Sequence, residues 1–300
     1  MTENLRTALT GISGILVAPY NDAGEINPGR QKPIVDKAIA AGVHILVANG
    51  NTGEFYALTV EEAEAMVRAS AEHIGGRVPL LAGVGRGVRD ACQLARTSRA
   101  AGAAALMVHQ PPDPFSSPRG LVDYVKAVAD AAEGLPVVLY LRNDSIGIKA
   151  IRDLCELPSV VGVKWATPNP LKLAEAIAAT EPDIVWVGGL AEVWAPAFYA
   201  VGARGFTSGL INIWPERSVA IHAALEAGDY RKANDLIAGM KAFEEIRAEE
   251  LNGTNVTGVK AALAAIGHNC GATRPPSAWP LTSSQHAALQ AFITSNEIRF

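Results

Sequence analysis

The sequence predicts a closed (β/α)8 barrel over residues 1–214, followed by a helical region over 215–300. Eight short apolar runs recur along roughly the first 210 residues, each followed by a loop and a longer stretch of helical spacing. No break in composition divides the series, and the runs are nearly continuous in Val, Ile, Leu and Ala rather than alternating. Continuous runs are what parallel strands need when helices cover their outer faces. An open doubly wound sheet is the competing arrangement of the same units.

Taken in order, the expected strands are residues 14–18, 45–48, 80–83, 104–108, 137–141, 160–164, 184–188 and 205–208. Between the second and third, Thr59 precedes Val60-Glu61-Glu62, so its hydroxyl can accept a backbone N–H and Glu62 can reach back. That capping box opens a helix whose apolar stripe includes Ala65, Met66 and Ala69. Helical segments ending at Gly42, Gly102 and Gly202 feed the next strands, because glycine takes the left-handed conformation that stops a helix. Past Ser208 the spacing is helical only, over 215–227, 230–250, 256–266 and 283–294. The segment 270–280, punctuated by Pro275, Pro276 and Pro280, is expected to be a packing arm and not a helix.

An apolar content of 49% suffices for a large core, and a net charge of -4 without a dense Lys/Arg block leaves no electrostatic footprint for nucleic acid or an anionic membrane. The expected partners are small molecules and copies of the chain itself. Cys92, Cys155 and Cys270 are far apart and show no CxxC spacing, which argues against dithiol or zinc chemistry and for a reducing compartment. Met1-Thr2-Glu3-Asn4 has neither a basic nor an apolar leader, and no apolar stretch reaches membrane length, so a cytoplasmic location is expected. His268 and Cys270 lack a third ligand, and no metal is expected.

A barrel gathers functional groups at the C-terminal ends of its strands. Lys164 ends the run Val160-Val161-Gly162-Val163-Lys164, where desolvation can lower its pKa and free the amine to condense with a ketone. The alternative is a lysine solvated at a strand end. Gly50 and Gly53 flank Asn51-Thr52, permitting a tight loop whose backbone N–H groups and Thr52 hydroxyl can seat a carboxylate without a positive charge; a plain turn is the other reading. Tyr140 leaves the fifth strand with a hydroxyl able to donate and accept a proton. Arg142 offers a planar donor fork to a second substrate group, or a salt bridge to Asp144. Asn143, Thr167, Gly188 and Ser208 complete the expected binding rim. The phosphate loop GxxxxGK[ST] is absent and Gly83-Val84-Gly85-Arg86-Gly87 lacks a full GxGxxG, so no nucleotide cofactor is expected.

Gly50-Asn51-Thr52-Gly53-Glu54, Tyr140 and Gly162-Val163-Lys164 resemble the GxTGE loop, the tyrosine and the G[IVF]K lysine of the pyruvate-dependent Schiff-base barrel family. That family includes dihydrodipicolinate synthase, N-acetylneuraminate lyase and the 2-keto-3-deoxy sugar acid aldolases and dehydratases. The resemblance spans nearly the whole chain. It implies that Lys164 forms the imine, Tyr140 shuttles the proton, Asn51 and Thr52 bind the carboxylate, and no cofactor or metal is needed. It also implies a 2-oxo acid substrate, pyruvate or a keto-deoxy sugar acid, and a homodimer or homotetramer.

The chain departs from the family pattern in four places. Asn51 replaces one of two adjacent hydroxyls, His109-Gln110-Pro111-Pro112 lacks the tyrosine that synthases send across a dimer interface, Tyr140-Leu141-Arg142-Asn143 replaces YNxP, and Ser145-Ile146-Gly147 lacks the arginine that in synthases receives the aldehyde's carboxylate. Arg142-Asn143 looks more like the dehydratases, whereas Trp165-Ala166-Thr167 looks more like the aldolases and synthases. The expected activity is therefore a Schiff-base lyase, by aldol cleavage or dehydration of a 2-keto-3-deoxy sugar acid. The alternatives are a 4-hydroxy-tetrahydrodipicolinate synthase-like condensation, a metal-dependent aldolase and a noncatalytic sugar-acid-binding protein.

Overall fold

In the computed structural model, which describes residues 3–300, eight parallel strands pair in chain order and β8 returns to β1, closing the barrel. The strands are β1 (Ile12–Ile15), β2 (Ile45–Ala48), β3 (Leu80–Val84), β4 (Ala105–His109), β5 (Val137–Leu141), β6 (Val160–Trp165), β7 (Val185–Gly188) and β8 (Phe206–Ser208). Only the first is displaced substantially from its expected place. The apolar run 16–18 is buried, but Val17 N–H donates to Asn212 Oδ1 (3.1 Å) and its carbonyl accepts from Gln31 Nε2 (2.9 Å), which ends the strand at Ile15.

A short helix, α1 (Glu3–Leu9), precedes the barrel and buries Leu5, Ala8 and Leu9 against inward residues of the strands, stoppering the end opposite the rim. The barrel helices are α2 (Lys32–Ala41), α3 (Val60–Ile74), α4 (Val88–Ala100), α5 (Pro118–Ala131), α6 (Ile148–Cys155), α7 (Pro170–Ala178), α8 (Ala191–Ala200) and α9 (Pro215–Glu226). The Thr59 capping box opens α3, with Glu62 N to Thr59 Oγ1 at 3.2 Å and Thr59 N to Glu62 Oε2 at 2.8 Å. Strand side chains alternate between two cores. Val138, Tyr140, Val185, Val187, Ala105 and Met107 point into the barrel, whereas Val137, Leu139, Leu141, Trp186 and Phe206 face the helices.

Because α9 follows β8 and packs on α2 and α8, it completes the eighth unit, and the extension proper consists of α10 (Tyr230–Ala238), α11 (Lys241–Asn252), α12 (Asn255–Ala265) and α13 (Ser283–Ser295). The single helix expected over 230–250 is interrupted at Gly239-Met240, and the chain leaves helical geometry again at Glu249–Leu251. Glycine is a poor helix interior residue, and the break lets α11 turn back so that Phe243 stacks on Phe292 of α13 at 5.5 Å. The proline-bearing arm lies along the barrel: Cys270 O accepts from Tyr20 N (2.8 Å), and Arg274 forks onto both Glu62 oxygens at 2.6 Å. Among the described residues no helix is long and apolar enough to cross a membrane.

Candidate active site

The parallel register places His109 opposite Tyr140, Tyr140 opposite Lys164 and Lys164 opposite Val187, one row across β4 to β7. Inward parity turns Tyr140 and Lys164 into a cavity of about 700 Å³ at the C-terminal end of the barrel, lined also by Ile15, Asn51, Thr52 and Arg142. Lys164 is only 4% exposed, and its Nζ lies 3.9 Å from the centroid of the Tyr140 ring. It has no carboxylate partner among the described residues. Burial, assisted by the charge of Arg142, brings its pKa down from 10.5 to about 7, so a large fraction of the amine is unprotonated at neutral pH.

Tyr140 receives a hydrogen bond from Asn51 Nδ2 at 3.0 Å. With its oxygen accepting from the amide, the phenolic hydrogen is free to point elsewhere in the cavity. Burial raises the Tyr140 pKa to about 12, with Tyr56 adding to the rise and Arg142 and Asn51 opposing it, so the hydroxyl stays protonated at rest. The Thr52 hydroxyl opens onto the same space and makes no hydrogen bond among the described residues. Arg142 is exposed at the mouth, beside Tyr56, and no salt bridge to Asp144 forms.

Four of the expected binding residues lie off the cavity. Gly188 and Ser208 are outward by strand parity; their neighbours Gly189, Thr207 and Gly209 line the space instead. Ser208 is engaged behind the wall, its hydroxyl 3.0 Å from that of Ser218 and accepting the Ile211 N–H at 3.2 Å. Thr167 is buried between the lining residues Ala166 and Pro168. Asn143 caps a short turn, its Oδ1 taking the Ser145 N–H at 2.9 Å. A one-residue slip on a strand exchanges faces, which accounts for the first pair.

The structure brings in residues that no motif announced. His109 is fully buried, stacked on Phe55 at 4.4 Å and edge-on to Tyr140 at 5.1 Å. Its Nε2 donates to the Asn49 carbonyl at 2.9 Å, and burial lowers its pKa to about 3, so it props Tyr140 as a neutral ring. Its inward position follows from the alternation of β4. From the extension, Glu244, Arg247, Asn255 and Leu251 form a wall of the cavity, and nothing in the local sequence signals that role. His268 is occupied elsewhere, bonded to Arg30 O at 2.7 Å and stacked on Phe300 at 4.2 Å. Among the described residues no group of His, Cys, Asp and Glu is arranged to hold a metal ion.

A buried amine beside a protonated phenol, facing an uncharged loop of donors, suits imine chemistry on a 2-oxo acid. Residues 8–296 match the model of the dihydrodipicolinate synthetase family. The chain belongs to that family. A probable 5-dehydro-4-deoxyglucarate dehydratase of Streptomyces coelicolor is 33% identical over 284 residues, covering 91% of this chain and 89% of the relative. A 4-hydroxy-tetrahydrodipicolinate synthase of Maridesulfovibrio salexigens is 32% identical, with 92% and 94% covered. The crystal structure of dihydrodipicolinate synthase from Bacillus clausii superposes with a TM-score of 0.93 at 33% identity, covering 98% of this chain and 99% of that one. Membership makes the protein a Schiff-base-forming lyase of the class I aldolase type.

Proposed function

We propose that the protein dehydrates a 2-keto-3-deoxy sugar acid through an imine on Lys164. The observation that carries the reading is the desolvated Lys164 amine over the Tyr140 ring in a cavity whose mouth holds Arg142. The substrate carboxylate sits on Asn51 and Thr52, Lys164 Nζ adds to the C2 carbonyl, and water leaves as the iminium forms. Withdrawal of electrons by the iminium acidifies C3; loss of a C3 proton gives the enamine, which expels the C4 hydroxyl as water, with Tyr140 moving protons at the reacting oxygens. Arg142 holds hydroxyls or a distal carboxylate at the mouth. The relatives named as 5-dehydro-4-deoxyglucarate dehydratases support this branch. Aldol cleavage between C3 and C4 is the other outcome of the same iminium.

The synthase-named relatives support a second reading, condensation of pyruvate with an aldehyde. Against it, the turn Asp144–Ile146 offers no cationic side chain to receive the aldehyde's carboxylate. Borohydride reduction in the presence of pyruvate tests the shared step: one lysine, Lys164, should gain the mass of a reduced pyruvate imine, and labelling elsewhere or none rejects it. Product mass on 2-keto-3-deoxygluconate, 5-keto-4-deoxyglucarate, N-acetylneuraminate, and pyruvate with aspartate semialdehyde then selects the branch. Loss of water, with or without carbon dioxide, supports dehydration; pyruvate plus an aldehyde supports cleavage; preference for the semialdehyde rejects the sugar-acid reading. We infer further that the protein assembles as a cytoplasmic homodimer or homotetramer whose active sites are self-contained.

A further inference from the structure

The carboxylate seat as read from sequence is neutral, yet the cavity wall beside it carries a buried guanidinium. Arg247 of α11 is 4% exposed and enters from the helical extension, not from a barrel strand. Its Nη1 donates to Glu244 Oε1 at 2.5 Å, its Nε to Asn255 O at 3.3 Å and its Nη2 to Asn255 Oδ1 at 3.1 Å. A guanidinium has five N–H groups, so these bonds leave one donor on each terminal nitrogen. The side chain also packs on the Phe243 ring, 5.4 Å from its centroid, which fixes the plane of the fork.

Gly209 shows where the Nη2 end of the fork lies. A Cβ on Gly209 would stand 2.7 Å from Arg247 Nη2 and 3.3 Å from Thr52 Oγ1, so the guanidinium and the seat's hydroxyl flank the same point. The absence of a side chain at 209 is what lets the arginine reach the seat. Behind it, Glu192 is fully buried and accepts from Ser218 Oγ at 2.6 Å; burial and the nearby Glu244 raise its pKa, which favours its neutral form. Among the described residues Arg247 is paired with one carboxylate, that of Glu244.

We propose that Arg247 is a substrate-binding residue that completes the seat, placing its free N–H donors and its charge on the carboxylate next to the imine carbon. The inference rests on Lys164 imine formation but not on the identity of the sugar acid. Every 2-oxo acid, pyruvate included, uses this contact. Arg142, across the barrel just past the end of β5, is left for the distal part of the substrate.

The test compares pyruvate with pyruvamide, which presents the same ketone without the charge, and with 2-oxoadipate, which adds a distal carboxylate. Reductive labelling of Lys164 is titrated against each in the wild type, in Arg247→Gln, in the charge-balanced Glu244→Gln/Arg247→Gln pair, and in Gly209→Ala. Gly209→Ala keeps both charges but pushes the guanidinium away. Circular dichroism identifies variants that fold, and calorimetric titration with pyruvate reports binding without reduction. In the folded variants, half-saturation by pyruvate should rise on the order of 10- to 100-fold, as for loss of a charged hydrogen bond, while pyruvamide is unchanged. Retention of the full preference for pyruvate over pyruvamide overturns the proposal. So does loss confined to 2-oxoadipate, which would give Arg247 the distal carboxylate, and so does an equal loss on all three ligands. Failure of the wild type to label at all would instead sink the imine reading, and calorimetry would still decide whether Arg247 reads the charge.

Discussion

Lys164 faces two opposing demands, since the burial that frees its amine also costs folding energy. With a folded pKa of about 7 against an ordinary 10.5, the unfolded chain binds more protons than the native one between those values. Stability therefore rises with pH across that window, and at pH 7 the lysine is a burden. Lys164→Met should stabilise the protein at pH 7 by on the order of 2 kcal/mol, allowing for water in the cavity, and the gain should vanish near pH 10.5. Urea denaturation at several pH values checks this, and a variant less stable at pH 7 would mean that the amine is not desolvated. Imine formation by the wild type should rise with pH to a plateau just above 7, as the neutral amine becomes dominant. At this scale the sequence located residues that meet in the structure: Lys164, Tyr140, Asn51, Thr52 and Arg142 all line one cavity. It did not show Arg247, because an arginine inside an ordinary amphipathic helix acquires its role only from the loop that α11 meets.

Between elements, the loop of Asn51 and Thr52 is tied to the extension by a buried ion pair. Glu54, held in a left-handed conformation, meets Lys260 of α12 at 2.5 Å, and its other oxygen takes the Arg274 N–H at 2.8 Å. Lys260 also sits over the Tyr20 ring at 3.9 Å, so the loop, β1's exit and the C-terminal arm share one cluster. Removing one partner of such a pair strands the other charge. Lys260→Met should destabilise the protein by about 3–5 kcal/mol in chemical denaturation and raise half-saturation by pyruvate, because the seat loosens. Denaturation within about 0.5 kcal/mol of wild type would remove the pair from that role. Strands were legible from their apolar runs, since a covered parallel sheet leaves no polar face to confuse the period. The exit of β1 was not, because Val17 exchanges sheet bonds for side chains of Asn212 and Gln31, distant in sequence. Nor was the break at Gly239, which needs α13 as the surface that α11 turns to cover.

Across the whole molecule, the rim bears an apolar feature that the monomer leaves uncovered. Phe115, in the loop after β4, is 92% exposed, and beside it runs a groove of about 700 Å³ lined by Tyr56, Val88, Pro111, Pro112, Pro114, Leu121 and Tyr124. A large exposed aromatic next to an apolar groove on the same face is a surface suited to a second copy, and closed symmetry lets each copy supply both parts. Sedimentation at micromolar concentration should give a dimer or tetramer, and Phe115→Asp should shift the population towards smaller species. The active site should survive that shift. Asn51 donates its amide to Tyr140, an amide is not a proton carrier as a hydroxyl is, and His109 fills the space behind the phenol as a neutral ring. Proton movement through Tyr140 is therefore expected to need no residue from a neighbour. Reductive labelling of Lys164 in Phe115→Asp should accordingly keep the wild-type pyruvate dependence within about threefold, which corresponds to less than 1 kcal/mol. A wild type that sediments as a monomer rejects the assembly, whereas a smaller variant that no longer labels would show that the partner completes the site.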